Sequence, residues 1–395
     1  MIRRIEDADI AGKRVLVRVD FNVPMQNGSV SDDTRLRAAL PTIEHLREAE
    51  AKVILMAHFG RPKGQRNPEM SLAPVATPLA ELIGHPVKFV SDCVGSDPKG
   101  AISLMKAGDV LLLENTRFHE GEEKNDPAFA AQLAELADVY VNDAFSAAHR
   151  AHASTEGVAR LLPAYAGLAL QREIDHVTAA LENPNRPVLA VVGGAKVSTK
   201  IELLKNLVKK VDRLFVGGAM ANTFLAARGH DVGGSLYERD LIDTAKAIED
   251  AAGEAQCQIL LPTDAVVAKD FKAHADRRVA EVDDIQATEM ILDCGPETVD
   301  QLADAIAASR TLVWNGPLGA FETPPFDTAT VEAARYAASR CKEHGLTAVA
   351  GGGDTVAALN QAGVSDDFTF VSTAGGAFLE WLEGKALPGV DALRD

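Results

Sequence analysis

Cysteine is scarce in this chain, and the four that occur are scattered. Cys93, Cys257, Cys294 and Cys341 show no CxxC spacing and no histidine cluster beside them. They read as reduced, partly buried thiols of a cytosolic protein. No apolar run approaches the roughly 20 residues that span a bilayer. The segment MIRRIEDADIAGKR has no apolar stretch of the signal-peptide kind. The expectation is a cytoplasmic protein with no membrane partner. Low-complexity tracts and short-period repeats are missing, which argues against a solenoid. Neither GxxxxGK followed by Ser or Thr nor GxGxxG occurs, so the P-loop and the dinucleotide fingerprint are both set aside.

Positive charge is also in short supply. Forty Lys and Arg face 57 Asp and Glu, a formal net charge of −17. With no basic stripe to compensate, such a chain repels nucleic acid. A net-negative protein that binds anions must concentrate its few cations in a cleft. What remains is an ordinary globular composition, 47% hydrophobic and 25% charged. At 395 residues the chain is too long for one ordinary core, and two domains are expected.

Short β-branched runs alternate with helical patterns throughout, the mark of βα units and parallel sheets. Strands are predicted near 14–20, 52–58, 87–90, 109–114 and 139–142, then near 187–192, 212–216, 258–261, 311–314, 347–350 and 368–371. Helices are predicted near 35–49, 71–83, 98–107 and 126–137, with Pro41 marking a start or a kink in the first. Those of the second half fall near 199–210, 239–254, 297–308, 327–344, 355–362 and 376–383. Runs such as VLAVV and TLVW are apolar on both faces, as expected when helices cover both sides of a sheet. The fold class is therefore α/β, with two similar-sized domains, each a parallel sheet with helices on both faces, separated by a cleft. The domains are placed at 1–165 and 185–378, joined by a helix and hinge over 166–184. The tail 379–395 is expected to dock on the first domain.

Strand ends differ between the halves. In the first, apolar runs lead into arginine and histidine: RVDFNVP, AHFGRP, ENTRFH and AFSAAHRAH. Guanidinium groups grip a compact polyanion in fork geometry. Asp20 and Asn22 alternate at one strand end and point the same way. His149 and His152 rank low, since a lone histidine is more often structural. In the second half the runs end in glycine: VVGGAKVSTK, LFVGGAM, WNGPLGAFE, AVAGGGDT and STAGGAF. Such loops open helices whose backbone N–H groups bind phosphates. Thr199 and Glu202 suggest a capping box. Lys196 and Lys200 stand at the positive end of that helix, where lysine needs an anion. Asp354 is a plain N-cap or, beside a phosphate, a Mg²⁺ ligand. Two anionic ligands, one per half, describe a transferase.

These blocks resemble, in order and spacing, those of the phosphoglycerate kinase family, bacterial type, from the first strand to the last helix. The resemblance implies reversible phosphoryl transfer between 1,3-bisphosphoglycerate and ADP, giving 3-phosphoglycerate and ATP, with Mg²⁺ and hinge-bending closure of a monomer. It assigns the phosphoglycerate to Asp20, Phe21, Asn22, Arg35, His58, Phe59, Gly60, Arg61, Arg117 and Arg150. It assigns the nucleotide to Lys200, Gly217, Gly218, Asn315, Glu322, Gly352, Gly353, Asp354 and Thr355, with Asp354 as metal ligand. Arg35 and Lys196 match the residues that meet the transferred phosphoryl group, with Gly375 and Gly376 at a helix N-terminus beside it. One loop departs: relatives often read TGGGAS where this chain has TAGGAF, which puts a strained backbone at Ala374 in question and removes a serine at Phe378.

The chemistry needs no general base, because an attacking carboxylate is already ionised at pH 7. A nucleotide-dependent dehydrogenase is the rival enzyme, disfavoured by the missing GxGxxG. A nucleotide-responsive binding protein is the rival outside enzymes.

Overall fold

The computed structural model describes residues 2–394. They form two compact units, one of Met1–Ile174 with Ala386–Asp395 and one of Asp175–Lys385. In the first, six strands lie in the order Val87–Val90, Val110–Leu113, Lys52–Met56, Arg14–Arg18, Val139–Asn142 and Ala164–Ala166. All neighbours are parallel, with Val15 opposite both Val53 and Val139. Val15 and Val17 face one side of the sheet and Leu16 the other, and all three are fully buried. Both faces are therefore covered, which is why these strands read as unbroken apolar runs.

The second unit repeats the plan with Gln258–Leu260, Arg213–Val216, Val188–Val192, Thr311–Asn315, Thr347–Gly351 and Phe370–Ser372, again all parallel. It also holds a three-stranded antiparallel sheet, Arg277–Glu281, Asp264–Ala268 and Met290–Cys294, absent from the sequence reading. RRVAE alternates exposed and covered residues, a weaker signal than a two-sided apolar run. The helix Ala219–Ala227 was also not predicted.

Pro41 lies inside the continuous helix Thr34–Glu48 rather than at its start. The helix Leu168–Leu181 carries the chain from the first unit into the second. The tail that belongs to the first unit begins at Ala386, not at 379. The helix Gly375–Leu382 stays with the second unit, where Asn206 Nδ2 donates to the Leu382 carbonyl. Within the first unit, Arg3 N–H donates to the Leu393 carbonyl and Asn142 Nδ2 to the Gly389 carbonyl. Among the described residues no helix is long and apolar enough to cross a membrane.

Parallel pairing has one consequence for function. Every loop that follows a strand emerges at the same edge of its sheet, the edge where open α/β sheets bind ligands.

Candidate active site

In the first unit that edge collects a buried basic cluster. Arg18, the last residue of its strand, is fully buried. Its Nε donates to Ser154 Oγ at 2.9 Å, Nη1 to the Val19 carbonyl at 2.6 Å, and Nη2 lies 2.9 Å from His58 Nδ1. Burial first, then the charges of Arg18, Arg117 and Arg150, hold His58 well below the usual histidine range. The same causes push His152 down to about 3. Both imidazoles are neutral at pH 7, so they add donors and acceptors rather than charge. Arg117 is nearly buried, donates from Nη1 to the Gly60 carbonyl at 2.8 Å, and lies 3.3 Å from Glu123 through Nε. Arg150 Nε meets His149 Nε2 at 3.0 Å.

Beneath this cluster lies Glu122, fully buried. It accepts from Ser154 N–H at 2.9 Å and from Thr116 Oγ1 at 3.2 Å, and stands 4.0 Å from His152. Confined positive charge needs such a counter-ion. Arg18, His152 and Glu122 were not among the predicted site residues. The one available signal was an arginine inside the apolar run VLVRV.

Around the cluster, Asp20 accepts from Arg35 Nη1 and from Ser146 Oγ, each at 2.6 Å, and from Asn22 N–H. Asn22 Oδ1 accepts from Gly60 N–H at 3.0 Å. Phe59 is held through its backbone by Asn115, and Arg61 is exposed. The ring of Phe21 is fully buried in the core with Val19 and Leu36, so its side chain supports the loop between Asp20 and Asn22.

In the second unit the adjacent central strands Val188–Val192 and Thr311–Asn315 end in loops that touch. Gly193 and Gly316 are obligatory at this crossing. A Cβ on Gly193 would sit 1.8 Å from the Pro317 carbonyl oxygen, and one on Gly316 (φ +107°) 2.2 Å from that of Gly193. Lys200 Nζ folds into the crossing, donating to the Gly193 carbonyl and to Asn315 Oδ1, each at 2.6 Å. Burial pushes Lys200 down to about 8, while Asp354 pulls the other way. Asn315 Nδ2 donates to the Gly351 carbonyl at 2.7 Å.

Gly352, at φ +100°, leads into the helix Gly353–Ala362. Asp354 is exposed in its first turn, and among the described residues none hydrogen-bonds its carboxylate. An unclaimed carboxylate beside a phosphate loop fits a hard cation such as Mg²⁺, which takes one or two carboxylates plus phosphate oxygens. Lys196 and Glu322 are exposed. Thr355 Oγ1 is turned inward and accepts from Gly316 N–H at 2.7 Å. Gly217 and Gly218 are required by packing: Cβ atoms there would meet Leu318 at 2.9 Å and the Gly194 backbone at 2.7 Å.

One local expectation fails. Thr199 and Glu202 form no capping box. Thr199 Oγ1 donates to the Lys196 carbonyl, and the short helix Ile201–Leu207 starts after Lys200 without a side-chain cap. Ser198 N–H is held instead by Glu238 at 2.9 Å. In the TAGGAF loop Ala374 is unstrained, with φ −88°, in line with the question raised by alanine at that position. The left-handed residue is Gly375, and Gly376 is exposed in the turn that follows. Phe378 is fully buried against Gly351, where a Cβ would meet its ring at 2.5 Å.

A family model described as phosphoglycerate kinase matches residues 5–385. The chain is 69% identical over 392 residues to a phosphoglycerate kinase from Maricaulis maris (strain MCS10), covering 99% of this chain and 97% of that one. It is 63% identical over 391 residues to one from Caulobacter vibrioides (strain NA1000 / CB15N), covering 99% of each. The solved structure of phosphoglycerate kinase from Coxiella burnetii superposes with a TM-score of 0.93 at 42% identity, covering 100% of this chain and 99% of that one.

Proposed function

The chain belongs to the phosphoglycerate kinase family, and we propose that its two ligand-binding edges divide the family's reaction between them. The activity is phosphotransfer: a phosphoryl group passes reversibly between 1,3-bisphosphoglycerate and ADP, yielding 3-phosphoglycerate and ATP. The basic edge of the first unit takes the phosphoglycerate, through Arg117, Arg150, Arg61, His58 and the Asp20–Arg35 pair. The glycine edge of the second takes ADP or ATP, through Lys200, the Gly352–Thr355 turn and Glu322. The observation that carries this reading is the grouping of Arg18, Arg117 and Arg150 around neutral His58 over buried Glu122, a concentration of cations in a chain of net charge −17.

Mg²⁺ would be held by Asp354 together with nucleotide phosphate oxygens. When bound it offsets phosphate charge. The chain's own contribution is alignment. Arg35 and Lys196 offer positive charge to the phosphoryl oxygens, and the acceptor carboxylate needs no base. Transfer to water is avoided only if the two ligands meet in a closed space, which supports closure of the units during turnover. The setting is proposed as a cytoplasmic monomer, and the four free cysteines suit a reducing compartment.

Calorimetry tests the division. Arg117→Ala should weaken 3-phosphoglycerate and leave ADP binding intact, and Lys200→Met should do the reverse. One substitution that removes both ligands from a folded protein overturns it.

A further inference from the structure

At the same edge of the first unit's sheet, but outside the residues assigned to the phosphoglycerate, three donors of different chemistry converge. Asp92 and Cys93 follow the edge strand Val87–Val90, and His119 follows the short turn Thr116–Phe118. A carboxylate oxygen of Asp92, Sγ of Cys93 and a ring nitrogen of His119 all lie within 4.8 Å of one another. Cys93 is fully buried and forms no disulfide. The sequence conceals this grouping, because 25 residues separate Cys93 from His119.

Two of the donors are already oriented. His119 Nε2 and Asp92 Oδ1 are 2.7 Å apart. The imidazole stacks on Phe129 at 5.0 Å between centroids. Arg66 Nη2 lies 3.6 Å from the other Asp92 oxygen, a position from which outer groups steer metal-binding carboxylates. Side-chain exposure of 31% for His119 and 33% for Asp92 leaves a path for an ion and room for a water ligand. Asp92, Glu122 and Glu114 surround the thiol with negative charge, which opposes a bare thiolate and favours a cation in its place.

We propose that Asp92, Cys93 and His119 form a site for zinc or a similar borderline-soft divalent cation, with water as fourth ligand. Sulfur, nitrogen and one carboxylate oxygen are the donor set of zinc, whereas Mg²⁺ and Ca²⁺ take oxygen. On binding, the Cys93 S–H bond breaks, its proton leaves to solvent, and the S–metal bond forms. The His119–Asp92 hydrogen bond gives way to two metal–ligand bonds. His119 lies two residues beyond Arg117, so an ion here would also pin the turn that carries that arginine.

The test is titration of chelator-treated, full-length protein with Co²⁺ in excess Mg²⁺ and a thiol-free reductant. A thiolate-to-cobalt charge-transfer band should saturate at one equivalent and be displaced by Zn²⁺. It should vanish in Cys93→Ser and in His119→Gln, each checked for fold by circular dichroism. Should Cys93→Ser not fold, His119→Gln decides: binding in that variant as tight as in the parent overturns the site. So does the absence of a saturable band in the parent, or its persistence in folded Cys93→Ser.

Discussion

Arg35 Nη1 donates to Asp20 Oδ2 at 2.6 Å, and the same oxygen accepts from Ser146 Oγ. A guanidinium in the first turn of a helix, ordinarily free in solvent, is thereby drawn to the strand end where the basic cluster begins. If Arg35 acts on the transferred phosphoryl group, Arg35→Ala should lower kcat by about 10²–10³-fold, the usual scale for removing one charge-stabilising donor, while ADP affinity stays intact. Steady-state kinetics with calorimetry checks this. Lost ADP affinity at unchanged kcat refutes the role. Asp20→Asn, which keeps the shape and removes the charge, should give a smaller fall in kcat.

Lys200 predicts a pH dependence. Burial holds it at about 8, below its ordinary 10.5, and only the protonated form attracts phosphate. ADP affinity should therefore weaken about tenfold between pH 7 and pH 9, and Lys200→Met should be weak and flat over that range. Stability moves oppositely. The folded chain binds fewer protons here than the unfolded one between about 8 and 10.5, so this group's contribution to apo stability rises with pH across that window. Calorimetric titrations at both pH values decide the binding half, and affinity independent of pH in the parent contradicts it.

The loop crossing at Gly193 and Gly316 leaves no room for a methyl group. Gly316→Ala combines overpacking, about 1–3 kcal/mol, with left-handed backbone at φ +107°, about 1–2 kcal/mol. Urea denaturation should show a lower midpoint. ADP binding should fall too, since Asn315 and Lys200 share the crossing. A variant as stable as the parent would show that the loops part easily.

Phe378 stands where the family resemblance leads to the expectation of serine. It is buried against Gly351, so Phe378→Ser should destabilise by about 3–5 kcal/mol, as large-to-small core changes do, without raising kcat. Thermal denaturation gives the first quantity and steady-state kinetics the second. A faster, equally stable variant would show that a hydroxyl serves the reaction at that position.

Legibility followed the strength of local signals. All six strands of the second sheet and five of the first were readable as apolar runs, and strand-end loops because glycine and arginine punctuate them; Ala164–Ala166, only three residues long, was not predicted. The sheet formed by 264–268, 277–281 and 290–294 was not readable, since charged residues interrupt its strands and 277–281 alternates exposed and covered positions. The capping box failed because Thr199 Oγ1 turns back to the Lys196 carbonyl and the helix starts one residue later, after Lys200. The resemblance assigned Phe21 to the site, and only the structure shows that its ring completes the core.

By itself, the order of residues determined the α/β class, the two halves and the chemistry offered by each, because period, glycine and charge are local properties. Only tertiary structure decided which groups share a space. It set Arg18 against His58 over Glu122, locked Lys200 to Asn315, and brought Cys93 to His119. Such groupings depend on which strands become neighbours in a sheet, and pairing between distant segments leaves no mark in either segment alone.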